Sequence, residues 1–394
     1  MQSTDLESRP FVTRRVVGMV ALLALPIAAH AQYSAKQDGD VVRLEDTASQ
    51  MSVSIIPSVG DIVSAVTVKG QNVVRWPYAS IDELRGRPGL NGIPFLGPWA
   101  NRIDADYYYA NGKKYLFNME LGNVRGDHPI HGFLTYTDKW KVVEIKADKK
   151  SAWATSRLEF YRQPDWMAQF PFAHTVQITH RLSGGVLEVA AELDNLSDEP
   201  MPAVIGFHPY YHLTDSPREA WTISVGARTE WMVAPDKIPT GETQPIEKFF
   251  PNPQSAALKD YNLDHEFGDL IRDKDGRATM SVTGIKQKLE IQFGPKWPIL
   301  VLYSPGPATN PGEPPPSQNA NAGGRGNVAG NAGRGGNAGG RGRGPQDPNF
   351  ICFEPMTAIT NALNMEQKGQ YKGVQMIPPR QSWKESFWVH PSGF

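Results

Sequence analysis

Apolar residues recur at every second position along much of this 394-residue chain, and hardly any segment shows a sustained helical stripe. Met51, Val53 and Ile55 alternate with Ser52 and Ser54. The run Asp61–Val68 is β-branched and stops at Lys69-Gly70, a turn signal. Runs at Ser151–Phe160, Thr175–Leu182, Val186–Leu193, Trp221–Val225, Ala278–Val282, Leu289–Phe293 and Ile299–Tyr303 repeat the theme. A period of two, enrichment in Val, Ile, Thr and aromatics, and breaks at Gly, Pro, Asn and Asp predict antiparallel strands. Strands in succession with no helices between them predict an all-β fold, a sandwich or a barrel.

Two segments depart from this pattern. Arg14 and Arg15 precede the apolar run Val16–Ile27, and the small-x-small site Ala29-His30-Ala31 follows. That order describes a signal peptide over residues 1–31, and the run is short against the roughly 20 residues of a bilayer span. The mature chain is then expected to begin near Gln32 and to be exported, periplasmic or secreted, with no stable membrane anchor. The second segment, about residues 306–347, is dominated by Gly, Asn, Ala, Pro and Arg. It has too little apolar surface to offset the entropy of ordering it, so it reads as a disordered insertion between two strands of one domain, 32–394. Closure entropy grows slowly with loop length, so such an insertion is tolerated.

The formal net charge is -1. Nothing in that balance points to nucleic acid as a partner. Cys352 is the only cysteine, which excludes an intramolecular disulfide and a multi-thiolate metal site. Its setting, Asn349–Phe353, reads as plain core, since a free Cys packs as a small apolar residue.

Four polar clusters stand out. Arg102 follows Asn101 in a Gly-, Pro- and aromatic-rich stretch, Asn91–Ile103, where a planar fork of donors suits an oxygen-rich ligand or a structural ion pair. His131 in His128–Leu134 and His208 in Ile205–His212 sit beside Pro, Gly and aromatics, as in loops at a sheet end. His208 and His212 are four apart, but Pro209 between them and the absence of matching carboxylates argue against a metal site. Glu354 closes the apolar run Ile351-Cys352-Phe353 just before Pro355, where partial desolvation raises basicity. Tyr261–Phe267 offers a further carboxylate, Asp264, on an expected loop.

In order along the chain, these clusters resemble the aldose 1-epimerase (galactose mutarotase) family. The resemblance runs through Pro98–Ile103, His131-Gly132-Phe133, Gln169–Phe172, Gly206–Tyr210, Leu263–Phe267, Glu354–Thr357 and Asn361–Asn364. It implies a large, mostly antiparallel β-sandwich, the galactose mutarotase-like supersandwich, with a concave sugar site. It implies Glu354 as catalytic base and His208 as catalytic acid. Arg102, Asn101, His131 and Asp264 would bind the sugar, with Trp99, Phe207 or Tyr210 stacking on it. Tyr211-His212 departs from the Phe-Asn of many members, and the insertion before Glu354 is a second departure.

The implied reaction interconverts the α and β anomers of a free aldohexose and calls for no metal, nucleotide or redox cofactor. The C1 hydroxyl loses a proton while the ring oxygen gains one, which a base and an acid achieve together. The alternatives are a non-catalytic carbohydrate-binding protein and a glycoside hydrolase, which needs two carboxylates across the bond it cuts.

Overall fold

The computed structural model describes Met1, residues 31–306 and residues 349–394. The leader expected at 1–31 and the insertion expected at 306–347 lie outside the described residues, apart from Met1, Ala31 and Gly306. Two large antiparallel sheets dominate the unit Gln32–Phe394. The first runs, in spatial order, through Lys141–Ala147, Ala152–Glu159, His174–Ser183, Val186–Asn195, Ser382–Ser392, Lys288–Phe293, Ala278–Thr283, Thr222–Ser224 and Ala256–Ala257. The second runs through Pro239–Pro245, Ala227–Val233, Leu263–Leu270, Ile299–Ser304, Ile351–Met356, Gly206–Phe207 and Phe95–Leu96. A five-stranded meander from Tyr33 to Asn72 packs against the edge of the first. Among the described residues no helix exceeds six residues, so the fold is all-β, as the alternation predicts, and it is the sandwich that the family resemblance implies.

Aromatic side chains join the two large sheets. Phe207 of the second lies 5.1 Å from Phe387 of the first, ring centroid to centroid, and 6.0 Å from Trp297. This settles one residue of the expected sugar platform: Phe207 is 1% exposed and belongs to the core. Trp99 is also buried, packed on Phe117 and Phe133.

The Ile351–Met356 strand is central to the second sheet, and all six of its residues are buried. Each buried Ile, Phe or Met there contributes about 1.5–3 kcal/mol, which ties the strand into the core. The strand does not stop at Glu354 but continues through Pro355, whose fixed φ is compatible with extended backbone. Asp264 likewise lies within a strand, Leu263–Leu270, rather than on a loop.

Register then sorts side chains by face. Successive residues of a strand point to opposite sides, so residues two apart and residues directly across a ladder share a face. Glu354 pairs with Val301, Val301 with Glu266, and Glu266 with Trp231. The neighbouring row reads Tyr210, Cys352, Tyr303, Asp264. Both rows lie on one face; Phe353, Leu302 and His265 form a row on the other.

Gly132 lets a connecting loop close on that sheet. Its φ is +60°, and a Cβ there would stand 2.0 Å from the Gly97 carbonyl oxygen. That same oxygen accepts the N–H groups of Phe133 and Leu134. A Gly132→Ala substitution is expected to destabilise the protein by about 2 kcal/mol or more, read by denaturant unfolding. An unchanged midpoint would show that the loop closes some other way.

Candidate active site

His208 sits between the short strands Gly206–Phe207 and Tyr210–Tyr211, both antiparallel to the central strand. This turn swings its ring onto Glu354: His208 Nε2 and Glu354 Oε1 are 3.2 Å apart. The two side chains are 7% and 2% exposed. Tyr210 stacks on the His208 ring at 4.7 Å with planes 8° apart, which holds the imidazole edge toward the carboxylate. Tyr303 meets the same ring edge-on at 5.9 Å.

Three residues of the site have left-handed backbone: Asn101 (φ +57°), His131 (φ +60°) and Asn361 (φ +61°). Asn tolerates this region better than most residues; a His there needs strong local support. The support is visible. Asn101 N–H donates to His131 Nδ1 at 3.1 Å. Asn101 Oδ1 accepts from the Arg102 backbone N–H and from Arg102 Nη1, both at 3.0 Å. Asn361 N–H donates to the Arg102 carbonyl at 3.0 Å. Arg102 is thereby clamped from both sides, and its Nη2 reaches Asp264 Oδ2 at 3.5 Å. His131 completes the chain, its ring 5.5 Å from that of His208.

All six residues singled out in the sequence therefore form one continuous set of contacts, from Glu354 through His208 and His131 to Asn101, Arg102 and Asp264. Asp264 is the most open of the charged members, its side chain 28% exposed, so solvent reaches the set from its side. Tyr211 and His212 lie apart: Tyr211 is fully buried, and His212 Nε2 bonds the Asn72 carbonyl at 2.8 Å.

Burial dominates the electrostatics. It lifts Glu354 well above the usual carboxylate range, with Asp264 and Glu266 adding to the effect and Arg102 opposing it. It pushes His208 down to about 3, helped by the positive charges of Arg102 and Arg125. Both shifts favour the uncharged forms, a protonated Glu354 beside a neutral His208. His131 is also driven well below its ordinary value, by burial first and then by His208, Arg102 and Arg125.

Cys352 is core, as its setting predicts, and packs with Tyr210 and Phe350. Its sulfur lies within 4.8 Å of the ligand atoms of His208 and Glu354, the one such trio among the described residues. Burial first, then Glu354, push the thiol well up, so it stays protonated and is a poor metal ligand. Glu266 is a site residue that the sequence does not single out. It accepts the Thr360 N–H at 3.1 and 3.2 Å, tying down the loop that delivers Asn361, and burial lifts it to about 7. Its signal in the sequence is a second carboxylate two residues after Asp264 in the Leu263–Phe267 run, which places the two on one face of a strand.

Residues 40–349 match the model of the aldose 1-epimerase family. The chain belongs to the aldose 1-epimerase family. The match spans Arg102, His131, His208 and Asp264 and ends five residues before Glu354, which the structure places 3.2 Å from His208. Solved structures show the same fold. A galactose mutarotase-like protein from Clostridium acetobutylicum is 19% identical, with 92% of this chain and 98% of that one covered and a TM-score of 0.71. Galactose 1-epimerase from Lactobacillus acidophilus is 16% identical, covering 91% and 98%, with a TM-score of 0.64. A GalM/aldose epimerase homologue from C. elegans is 17% identical, covering 87% and 96%, at 0.63.

A ring nitrogen that accepts a hydrogen bond carries no proton, so neutral His131 is the Nε2–H tautomer. Both buried imidazoles have lowered pKa values, so both stay neutral well below the ordinary histidine value of about 6.5. In ¹⁵N NMR spectra, His131 and His208 are expected to keep neutral shifts from pH 8 to pH 5. A midpoint near 6.5 at either ring would contradict the burial account.

Proposed function

We propose that this protein is an aldose 1-epimerase that interconverts the α and β anomers of free aldohexoses by opening and reclosing the ring. The observation that carries this reading is the buried His208–Glu354 contact, where a base and an acid share one proton. Membership of the aldose 1-epimerase family supports a sugar as substrate.

In this reading Glu354 takes the proton of the C1 hydroxyl while His208 gives one to the ring oxygen. The free protein keeps the shared proton on Glu354, so sugar binding has to move it across the 3.2 Å contact to His208. Hydroxyl groups entering the site hydrate the emerging carboxylate, and Arg102 already favours the charged form. The open aldehyde then rotates about C1–C2. Reclosure runs the proton transfers backwards and leaves the pair as it began. Every proton is supplied and recovered by the pair, so the reaction requires no redox partner.

The remaining residues bind. His131 presents Nε2–H, since its Nδ1 accepts from Asn101. Arg102 and Asp264 offer donors and an acceptor for neighbouring sugar hydroxyls at the open side of the site. Tyr210 backs His208 and sets its angle. The leader read at residues 1–31 would place the activity outside the cytoplasm.

Polarimetry on freshly dissolved α-glucose and α-galactose tests the proposal, run on the purified protein and on periplasmic and cytoplasmic fractions. Glu354→Gln and His208→Asn are each expected to lower kcat by about 10²–10⁴-fold, the usual range for removing a general acid or base. Asp264→Asn is expected to act mainly on KM. Full activity in Glu354→Gln would end the role assignment. Activity found only in the cytoplasmic fraction would end the export proposal.

A further inference from the structure

Three strands away from Glu354, on the same sheet face, the protein carries a second aromatic site. The ladder row that begins at Glu354 passes through Val301 and Glu266 to Trp231, so Trp231 stands about 14 Å from Glu354 at three strand spacings. Trp231 and Tyr371 line an open depression of about 420 Å³, with Gly369, Gln370, Lys372 and Gly373. That volume is within the roughly 300–1,000 Å³ usual for ligand pockets.

The aromatic walls are fixed. The Trp231 and Tyr371 rings meet edge to face, with centroids 5.8 Å apart and planes at 71°. A Cβ on Gly268 would lie 2.9 Å from Trp231 Nε1, so the indole is seated directly against the sheet backbone. Tyr371 is buried and hydrogen-bonds the backbone of Ile359, in the loop that Glu266 ties down and that holds Arg102. The second site is thus joined to the first through both the ladder and this loop. Its rim is polar: Gln370 and Lys372 are exposed, and Lys372 is the only charged side chain among the six.

We propose that this depression is a distal sugar subsite, which stacks the second or third ring of a neutral oligosaccharide whose reducing-end ring occupies the site at His208 and Glu354. The proposal rests on the epimerase reading for the reducing end. Aromatic faces suit the C–H face of a pyranose, and amide and ammonium donors suit its hydroxyl edge. A monosaccharide held at Trp231 would be too far from Glu354 to react, so a ring bound there must be tethered to another in the catalytic site. With one charge on the rim, nothing selects for an anionic sugar.

The test compares anomer exchange of glucose with that of α- and β-1,4-linked gluco-trisaccharides, followed by NMR. Wild-type kcat/KM is expected to be about tenfold higher for at least one trisaccharide, roughly what one stacking contact supplies. Trp231→Ala is expected to remove that advantage through KM while leaving glucose turnover within about twofold, and Trp231→Phe to keep part of it. No trisaccharide advantage in the wild type, or equal losses on glucose and trisaccharide in a folded Trp231→Ala, would overturn the subsite. If no sugar is turned over, the epimerase reading fails, and saturation-transfer NMR then decides the subsite separately. Trisaccharide binding that Trp231→Ala abolishes supports it; binding unaffected by Trp231→Ala, or no binding, overturns it.

Discussion

A carboxylate in the middle of a fully buried strand has to be answered by a partner, and His208 answers Glu354 at 3.2 Å. An isolated buried charge is so costly that the group stays neutral instead. A buried imidazole meets the same penalty from the opposite sign. Placing the two together lets one proton serve both, with neither charged. In the proposed reaction, a hydroxyl-rich ligand that favours charge at Glu354 would convert the neutral pair into base and acid without proton exchange with solvent.

The rest of the molecule keeps that pair in register. The central strand gains its burial from Ile351, Phe353 and Met356 and carries Cys352 and Glu354 with it. Antiparallel partners on one side supply Val301, Glu266 and Asp264, and short strands on the other supply the His208 turn. The loops bring strained backbone at Asn101, His131 and Asn361, and each strained residue makes a hydrogen bond within the set. Arg102 is accordingly aimed by its neighbours rather than by its own flexible stem.

Much of this was readable beforehand, and the exceptions share a cause. Strands with one buried face announce themselves by alternation, as Ala152–Glu159 and His174–Ser183 do. Edge strands such as Tyr33–Asp38 and Pro239–Pro245 bury little and so carry little signal. Ser382–Ser392 is interior to its sheet, but half of its positions are polar and its alternation is broken at Ser386-Phe387. Pro355 and the polar Asp264 suggested a strand end and a loop, whereas long-range pairing kept both in strands. The six site candidates come from motifs whose order resembles a known family, and the fold brings them together. Residues defined by cross-strand neighbours, such as Glu266 and Trp231, emerged only with the register.

In the proposed reaction the pair moves protons and leaves the C1–O1 bond intact. Hexose labelled with ¹⁸O at C1, dissolved in ordinary water, tests this directly through the isotope shift on the ¹³C1 resonances of both anomers. Ring opening and reclosure predict fast enzyme-dependent anomer exchange, with the label retained in the α and β forms alike. Loss of ¹⁸O in step with anomer exchange would show that C1–O1 is cleaved and would contradict the account, as would exchange no faster than in buffer.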